Sequence, residues 1–210
     1  MPPISDLVRD SKLETKFYPG YTQHVYYVSG ATPRQRKVRK EERWERGRNL
    51  GAGAFGIVWL EKFVTENAEV KHRAVKEIRK TVQRPKAADY SRELEAIAKF
   101  SHSKVEYTIH FHILLSYLFF FSLSRHHVSN AYGEQYELCF VKSFGWYENC
   151  ESVFITMEYL PLGDLQNYLS SPLPEEEAQQ ITSQVLEGLA FMHENGFAHR
   201  DLKPNVSSHS

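Results

Sequence analysis

The alternation of apolar and polar residues divides this chain into a strand-rich first part and a helical last part. Residues 1–43 show no sustained period. Pro2, Pro3, Pro19, Gly20, Gly30 and Pro33 cut them into short segments, which predicts a flexible leader. From Trp44 the pattern turns strand-like. Ile57-Val58-Trp59-Leu60 is rich in β-formers, and Lys71 to Ile78 holds a second apolar run around Val75. Pro85 fits a helix start, after which Leu94, Ile97 and Ala98 recur at helical spacing. Arg92, Glu93, Glu95 and Lys99 lie between them. Phe140-Val141 and Val153 to Met157 read as two further strands, with a turn at Glu148 to Glu151 between them.

After Pro161-Leu162-Gly163 the chain turns helical, first over Asp164 to Leu169. Pro174 followed by Glu175, Glu176 and Glu177 is a second helix start, because proline suits the first turn and acids favour the positive end of the dipole. Ala178, Ile181, Val185, Leu189 and Met192 form one apolar stripe, which Leu186 widens. Gly196 after Asn195 supplies the stop. Strands with one helix, then helices, predict an α+β fold. No internal repeat is visible.

Composition narrows the class. The chain has 210 residues, 41% hydrophobic and 25% charged, enough for one large domain or two small ones. Lys+Arg and Asp+Glu are both 26, so no global field favours nucleic acid or an anionic membrane. The basic run Arg34, Arg36, Lys37, Arg39 and Lys40 is broken by Glu41 and Glu42. It reads as a solvated linker, with a nuclear-import signal as the alternative. The two cysteines, Cys139 and Cys150, argue against a disulfide scaffold and for free thiols in a reducing compartment, cytoplasmic or nuclear. Met1-Pro2-Pro3-Ile4-Ser5-Asp6 does not resemble a secretory signal.

Candidate chemistry begins at Leu50-Gly51-Ala52-Gly53-Ala54-Phe55-Gly56-Ile57-Val58, a G-x-G-x-x-G-x-V pattern. Glycine lets a backbone approach charged phosphates closely, with N–H groups facing the oxygens. By itself the pattern also fits a plain glycine-rich turn. A dinucleotide site would place it between a strand and a helix; here β-formers follow, which predicts a strand–loop–strand hairpin. Lys76, in Ala74-Val75-Lys76, lies inside the next apolar strand pattern rather than on an obvious surface. Glu93 on the following helix is placed to pair with it. Glu95 competes but sits about 200° around the helix, so only one of the two faces inward.

Further along come Met157-Glu158-Tyr159-Leu160, Gly163-Asp164-Leu165 and His199-Arg200-Asp201-Leu202-Lys203-Pro204-Asn205. In this order these elements resemble a eukaryotic-type protein kinase domain of serine/threonine type, over roughly Trp44 to Asn205. The resemblance implies a bilobal fold, with a complete small β-rich lobe and hinge over 44–160 and the first helices of the large lobe over 161–205. It implies ATP and Mg2+ as cofactors and a protein carrying serine or threonine as substrate, with neither nucleic acid nor membrane as partner. Leu50 to Val58 would cover the phosphates, and Lys76, held by Glu93, would contact the α- and β-phosphates. Met157 resembles the residue behind the adenine, and backbone groups of Glu158 and Leu160 would hydrogen-bond it. Asp164 would hold the ribose hydroxyls; a helix N-cap is its other reading. Asp201 would accept the hydroxyl proton, and Lys203 would neutralise charge on the transferred group. His199 resembles the motif's structural histidine.

Two stretches depart from the family. Residues 103–135 are inserted where a kinase passes quickly from helix to strand. Their apolar run, Ile109 to Leu123, falls short of the roughly 20 residues of a membrane span and is a poor surface loop. A translated intron over 105–135 is expected: Lys104-Val105 fits a splice donor, Ser129-Asn130 a branch point and Gln135 a terminal CAG. Residues 206–210 are the second departure. Val206 stands where the pattern has a metal-binding Asn, no Asp-Phe-Gly follows, and Val206-Ser207 also fits a splice donor. The expectation is a kinase whose chain as written is inactive and poorly soluble, the alternative being a non-catalytic, ATP-binding or scaffold isoform.

Overall fold

The computed structural model describes residues 5–28, 37–53, 56–80, 90–100, 140–169, 171–200 and 202–203. They fall into two compact units. The first holds the described residues up to Ala98 together with Ser143–Tyr159; the second holds those from Lys99 to Lys142 and from Leu160 onward.

The first unit is β-rich. A short helix, α1 (Asp6–Asp10), precedes β1 (Glu14–Tyr18), β2 (Tyr21–Val28), β3 (Val38–Gly53), β4 (Gly56–Val64) and β5 (Val70–Arg79). Helix α2 (Tyr90–Phe100) follows, then β6 (Ser143–Glu148) and β7 (Ser152–Glu158). All pairings are antiparallel, in the order β1-β2-β3-β4-β5-β7-β6.

The expected leader is therefore corrected. Within it lie α1, β1, β2 and the start of β3, which begins at Val38 rather than near Trp44. Pro19 and Gly20 are not breakers but the two central residues of a tight hairpin, with Tyr18 paired to Tyr21 and Gly20 at φ +85°. Proline presets the first central position of such a turn, and glycine tolerates the positive φ of the second.

The same segment reaches β6. Lys12, just before β1, bridges Trp146 of β6 in parallel. Leu13 N donates to the Trp146 carbonyl at 2.7 Å, and Trp146 N donates to the Ser11 carbonyl at 3.1 Å. The indole of Trp146 also donates to the Val8 carbonyl at 2.7 Å. The segment leading into β1 is thus tied to the outer strand β6. Gly145 permits the approach: its φ is +108°, and a Cβ there would lie 2.5 Å from the Ser11 carbonyl oxygen. Lys12 and Lys80 both hold Glu148, at 2.7 and 2.5 Å. Burial of Glu148 opposes its ionisation, but the two lysines outweigh that and hold its pKa below the ordinary value.

Two layers of core flank the sheet. On one side Val8, Ile78, Leu94, Ala98, Trp146, Val153 and Ile155 bury together, joining α1 and α2 to the strands. On the other, Val75, Tyr147 and Phe154 pack with Leu13. That second side also carries charge. Glu61 and Arg73 lie directly opposite one another on β4 and β5, only 1% and 2% exposed. Arg73 donates to Glu61 Oε2 from Nε at 3.0 Å and from Nη2 at 2.7 Å. Its guanidinium lies 4.1 Å from the centre of the Trp44 ring, and Nη2 also reaches His24 Nε2 at 2.7 Å.

Arginine can only donate, so His24 Nε2 accepts and the ring proton sits on Nδ1. That proton points to Thr15 Oγ1, 2.7 Å away, whose hydroxyl donates to the Leu13 carbonyl at 3.2 Å. Burial first, then the Arg73 charge, lowers the His24 pKa to about 3, so the ring is neutral. Burial, and after it the Glu61 charge, pushes the Tyr147 phenol up.

Two further expectations are adjusted. The strand before the Glu148 to Glu151 turn is Ser143–Glu148, not Phe140-Val141. Phe140 instead belongs to the core of the second unit. The turn itself holds: Asn149 Oδ1 accepts from the backbone N–H groups of Glu151 and Ser152, at 2.9 and 2.7 Å. Pro85 lies outside the described residues.

In the second unit, α3 (Glu175–Glu194) follows a short 3-10 helix, Leu165–Tyr168, which is where a helix over Asp164 to Leu169 was expected. Phe140 and Met192 are buried against Phe100, Val185, Phe191 and Phe197. Of the predicted stripe, Met192 is buried and Val185 packs with it, Ala178, Ile181 and Leu189 are half-buried, and Leu186 is 59% exposed and widens nothing. Gly188 and Met192 are the buried residues of the helix.

Candidate functional site

The glycine-rich stretch is a hairpin. Gly51 pairs with Val58, Ala52 with Ile57 and Gly53 with Gly56, across shifted register between Arg46 and Gly51. Strand follows turn, as the β-formers after the glycines required, and no helix begins there. Ala54 and Phe55 lie outside the described residues. Leu50, Gly51, Gly56 and Val58 are half-buried, and Ala52 and Gly53 exposed. Gly56 has a conformational and steric reason to be glycine. Its φ is +131°, and a Cβ would fall 2.3 Å from the Glu77 carbonyl oxygen, a contact no side chain can make.

Lys76 stands on β5 directly opposite Val58 of β4 and Ile155 of β7. Opposed residues share a face, so Lys76 lies on the face that carries the flanking Val58 and, two residues on, Met157 opposite Ala74. Lys76 Nζ donates to Glu93 Oε1 of α2 at 2.5 Å. The side chains are 22% and 27% exposed. Glu95 faces solvent, so the helix resolves the competition in favour of Glu93. Met157 also packs against the core beneath α2. Glu158, half-buried, ends β7 opposite Arg73.

In the second unit, Leu160 accepts a hydrogen bond from Gly163 N at 3.2 Å. Pro161 in the second position and Gly163 in the fourth, at φ +79°, suit that turn. It delivers Asp164, 8% exposed, to the residue preceding the 3-10 helix, a position that also fits a cap. Beyond α3, Arg200 is held at φ +63°. Left-handed backbone at a non-glycine residue costs about 1 kcal/mol or more and clusters at functional sites; here it falls one residue before Asp201. Lys203 is half-buried. Asp201 and Val206 lie outside the described residues, as do residues 103–135.

The first unit thus brings together the hairpin, Lys76, Glu93 and Met157, while Leu160, Asp164 and Lys203 belong to the second. Among the described residues no group of three or more His, Cys, Asp or Glu side chains is placed to hold a metal ion, and position 206 offers an apolar side chain. None of the described helices is long and apolar enough to cross a membrane.

Comparison with known proteins points the same way. Residues 138–206 match the family model for the protein kinase domain. The chain is 27% identical over 161 residues to the serine/threonine-protein kinase ATG1a of Arabidopsis thaliana, covering 75% of this chain and 20% of that protein. It is 30% identical over 173 residues to the probable serine/threonine-protein kinase HSL1 of Saccharomyces cerevisiae, covering 77% of this chain and 11% of that protein. It is 27% identical over 157 residues to calcium/calmodulin-dependent protein kinase type 1 of Caenorhabditis briggsae, covering 74% and 34%. The chain spans about a third or less of the length of these relatives.

Proposed function

We propose, from the premise that this chain belongs to the serine/threonine-type protein kinase family, that it binds ATP and transfers the γ-phosphoryl group to serine or threonine hydroxyls of a protein. The observation that carries this is the Lys76–Glu93 ion pair, joining β5 to α2 beside the glycine hairpin. The first unit corresponds to a kinase small lobe and the second to the start of the large lobe. Backbone amides of Gly51, Gly53 and Gly56 face phosphate oxygens, and Lys76, oriented by Glu93, neutralises the α- and β-phosphates. Met157 backs the adenine, backbone groups of Glu158 and Leu160 hydrogen-bond it, and Asp164 holds the ribose. Asp201 takes the proton of the attacking hydroxyl, and Lys203 balances charge on the moving phosphoryl group. Magnesium normally accompanies ATP in this chemistry; every role named here falls on a group of this chain.

The test is transfer of labelled γ-phosphate to serine- and threonine-containing peptides, with Asp201→Asn as control. Transfer that Asp201→Asn abolishes supports the reading, and equal transfer by the variant contradicts it. One observation favours a second reading, ATP binding without turnover: Val206 stands at the position of the metal-binding Asn. Saturable ATP binding with no transfer would select it. Residues 105–135 fit a translated intron better than a part of the catalytic domain, and a mature message that keeps those codons contradicts this. The compartment proposed is intracellular, cytoplasmic or nuclear, in keeping with the exposed free thiol of Cys150.

A further inference from the structure

Glu77 follows Lys76 on β5, and because side chains alternate along a strand it projects to the opposite face. There one carboxylate joins three other strands. Its Oε2 accepts from Trp59 Nε1 of β4 at 2.9 Å and from Arg46 Nη1 of β3 at 3.1 Å. Its Oε1 accepts from Ser152 Oγ of β7 at 3.2 Å. The Arg46 guanidinium also lies over the Trp59 ring, 4.9 Å from its centre. Arg46 precedes the glycine turn and Trp59 follows it, so Glu77 grips both arms of the hairpin. The backbone of the same residue sets the turn's position, since the Glu77 carbonyl oxygen occupies the space a Cβ on Gly56 would need. At 17% exposure the carboxylate is sheltered from competing water, and hydrogen bonds to a charged acceptor are the stronger kind.

We propose that Glu77 is a positioning residue: it fixes the glycine hairpin in register over the strand that carries Lys76, and so sets where phosphates can sit. The last step rests on the nucleotide reading above; the grip on the hairpin does not. Sequence gave Glu77 no motif role, because its partners are brought to it only by strand pairing.

The experiment compares wild type, Glu77→Ala, Glu77→Gln and Trp59→Phe by hydrogen exchange and by ATP titration. Glu77→Ala is expected to raise amide exchange over residues 50–58 by about tenfold, as loss of charge-assisted bonds implies, with exchange in α2 unchanged. ATP affinity should weaken by a similar factor, about tenfold. Glu77→Gln, which keeps an acceptor oxygen, should recover most of both effects. Trp59→Phe, which keeps the ring and loses only the N–H, should loosen the β4 arm to a smaller degree. Unchanged hairpin exchange in Glu77→Ala overturns the proposal. So does a rise that spreads equally through α2, which would make Glu77 a general structural residue. If wild type binds no ATP, the nucleotide reading fails, and hairpin exchange still decides whether Glu77 holds the hairpin.

Discussion

Among the ion pairs of strand β5, those made by Arg73 and Lys76 lie three residues apart and differ in almost every respect. Arg73–Glu61 joins neighbouring strands, is almost wholly buried, and is closed off by His24 and Trp44. Lys76–Glu93 joins a strand to a helix and keeps about a quarter of each side chain in water. Charges buried that deeply are tolerated only when fully paired, and removing one partner leaves the other stranded. A pair that keeps this much contact with water contributes less to stability than a buried one costs when broken. The contrast teaches which charges hold the first unit together and which the proposed function draws on.

The largest break in that comparison is expected from Arg73→Met. It strands the Glu61 carboxylate inside the sheet and should cost about 3–5 kcal/mol in denaturant unfolding. Replacing both partners, Arg73→Met with Glu61→Leu, should recover most of that loss, because the desolvated charge is gone with its partner. A double variant as damaged as the single one would contradict the assignment.

Acid provides the next test. The folded chain keeps His24 neutral down to about pH 3, whereas an unfolded histidine takes up a proton near its ordinary value of 6.5. Unfolding therefore gains a proton between those limits, and stability falls as pH drops below 6.5, by up to about 1.4 kcal/mol per pH unit. His24→Gln should lose this part of the slope when urea midpoints are compared from pH 7 to pH 5. Parallel slopes in the two proteins would rule His24 out as their source.

Gly145→Ala should cost about 1–3 kcal/mol, since it forces both a left-handed backbone and a clash with the Ser11 carbonyl. Its damage should concentrate in residues 5–13 and β6, read by hydrogen exchange. Smallest in stability is Lys76→Met, which should move the unfolding free energy by less than about 1 kcal/mol.

Legibility followed the same divide. The hairpin, Lys76, Glu93 and the apolar stripe of α3 were readable because each is a local pattern: glycine spacing, a short apolar run, a helical period. The first strands were not. In β2 the buried positions are Thr22 and His24 beside Val25, while Tyr27 and Val28 are exposed, so the usual apolar-in alternation is broken. The reason is the polar interior around Arg73, to which β2 contributes a histidine in place of an aliphatic residue. No local signal announces a partner 49 residues away. The strand misplaced at Phe140-Val141 failed similarly: two apolar residues were read as β, but tertiary packing with Met192 and Phe191 takes Phe140 into the helical unit. Leu186 shows the limit of a widened stripe, since being next to an inward position on a helix is not the same as facing inward.

ATP titration calorimetry of wild type and Lys76→Met tests the account most directly. The account predicts saturable binding by wild type and affinity lower by about tenfold or more in the variant, from loss of a charge-assisted contact to phosphate. Equal affinity in the two proteins would contradict it.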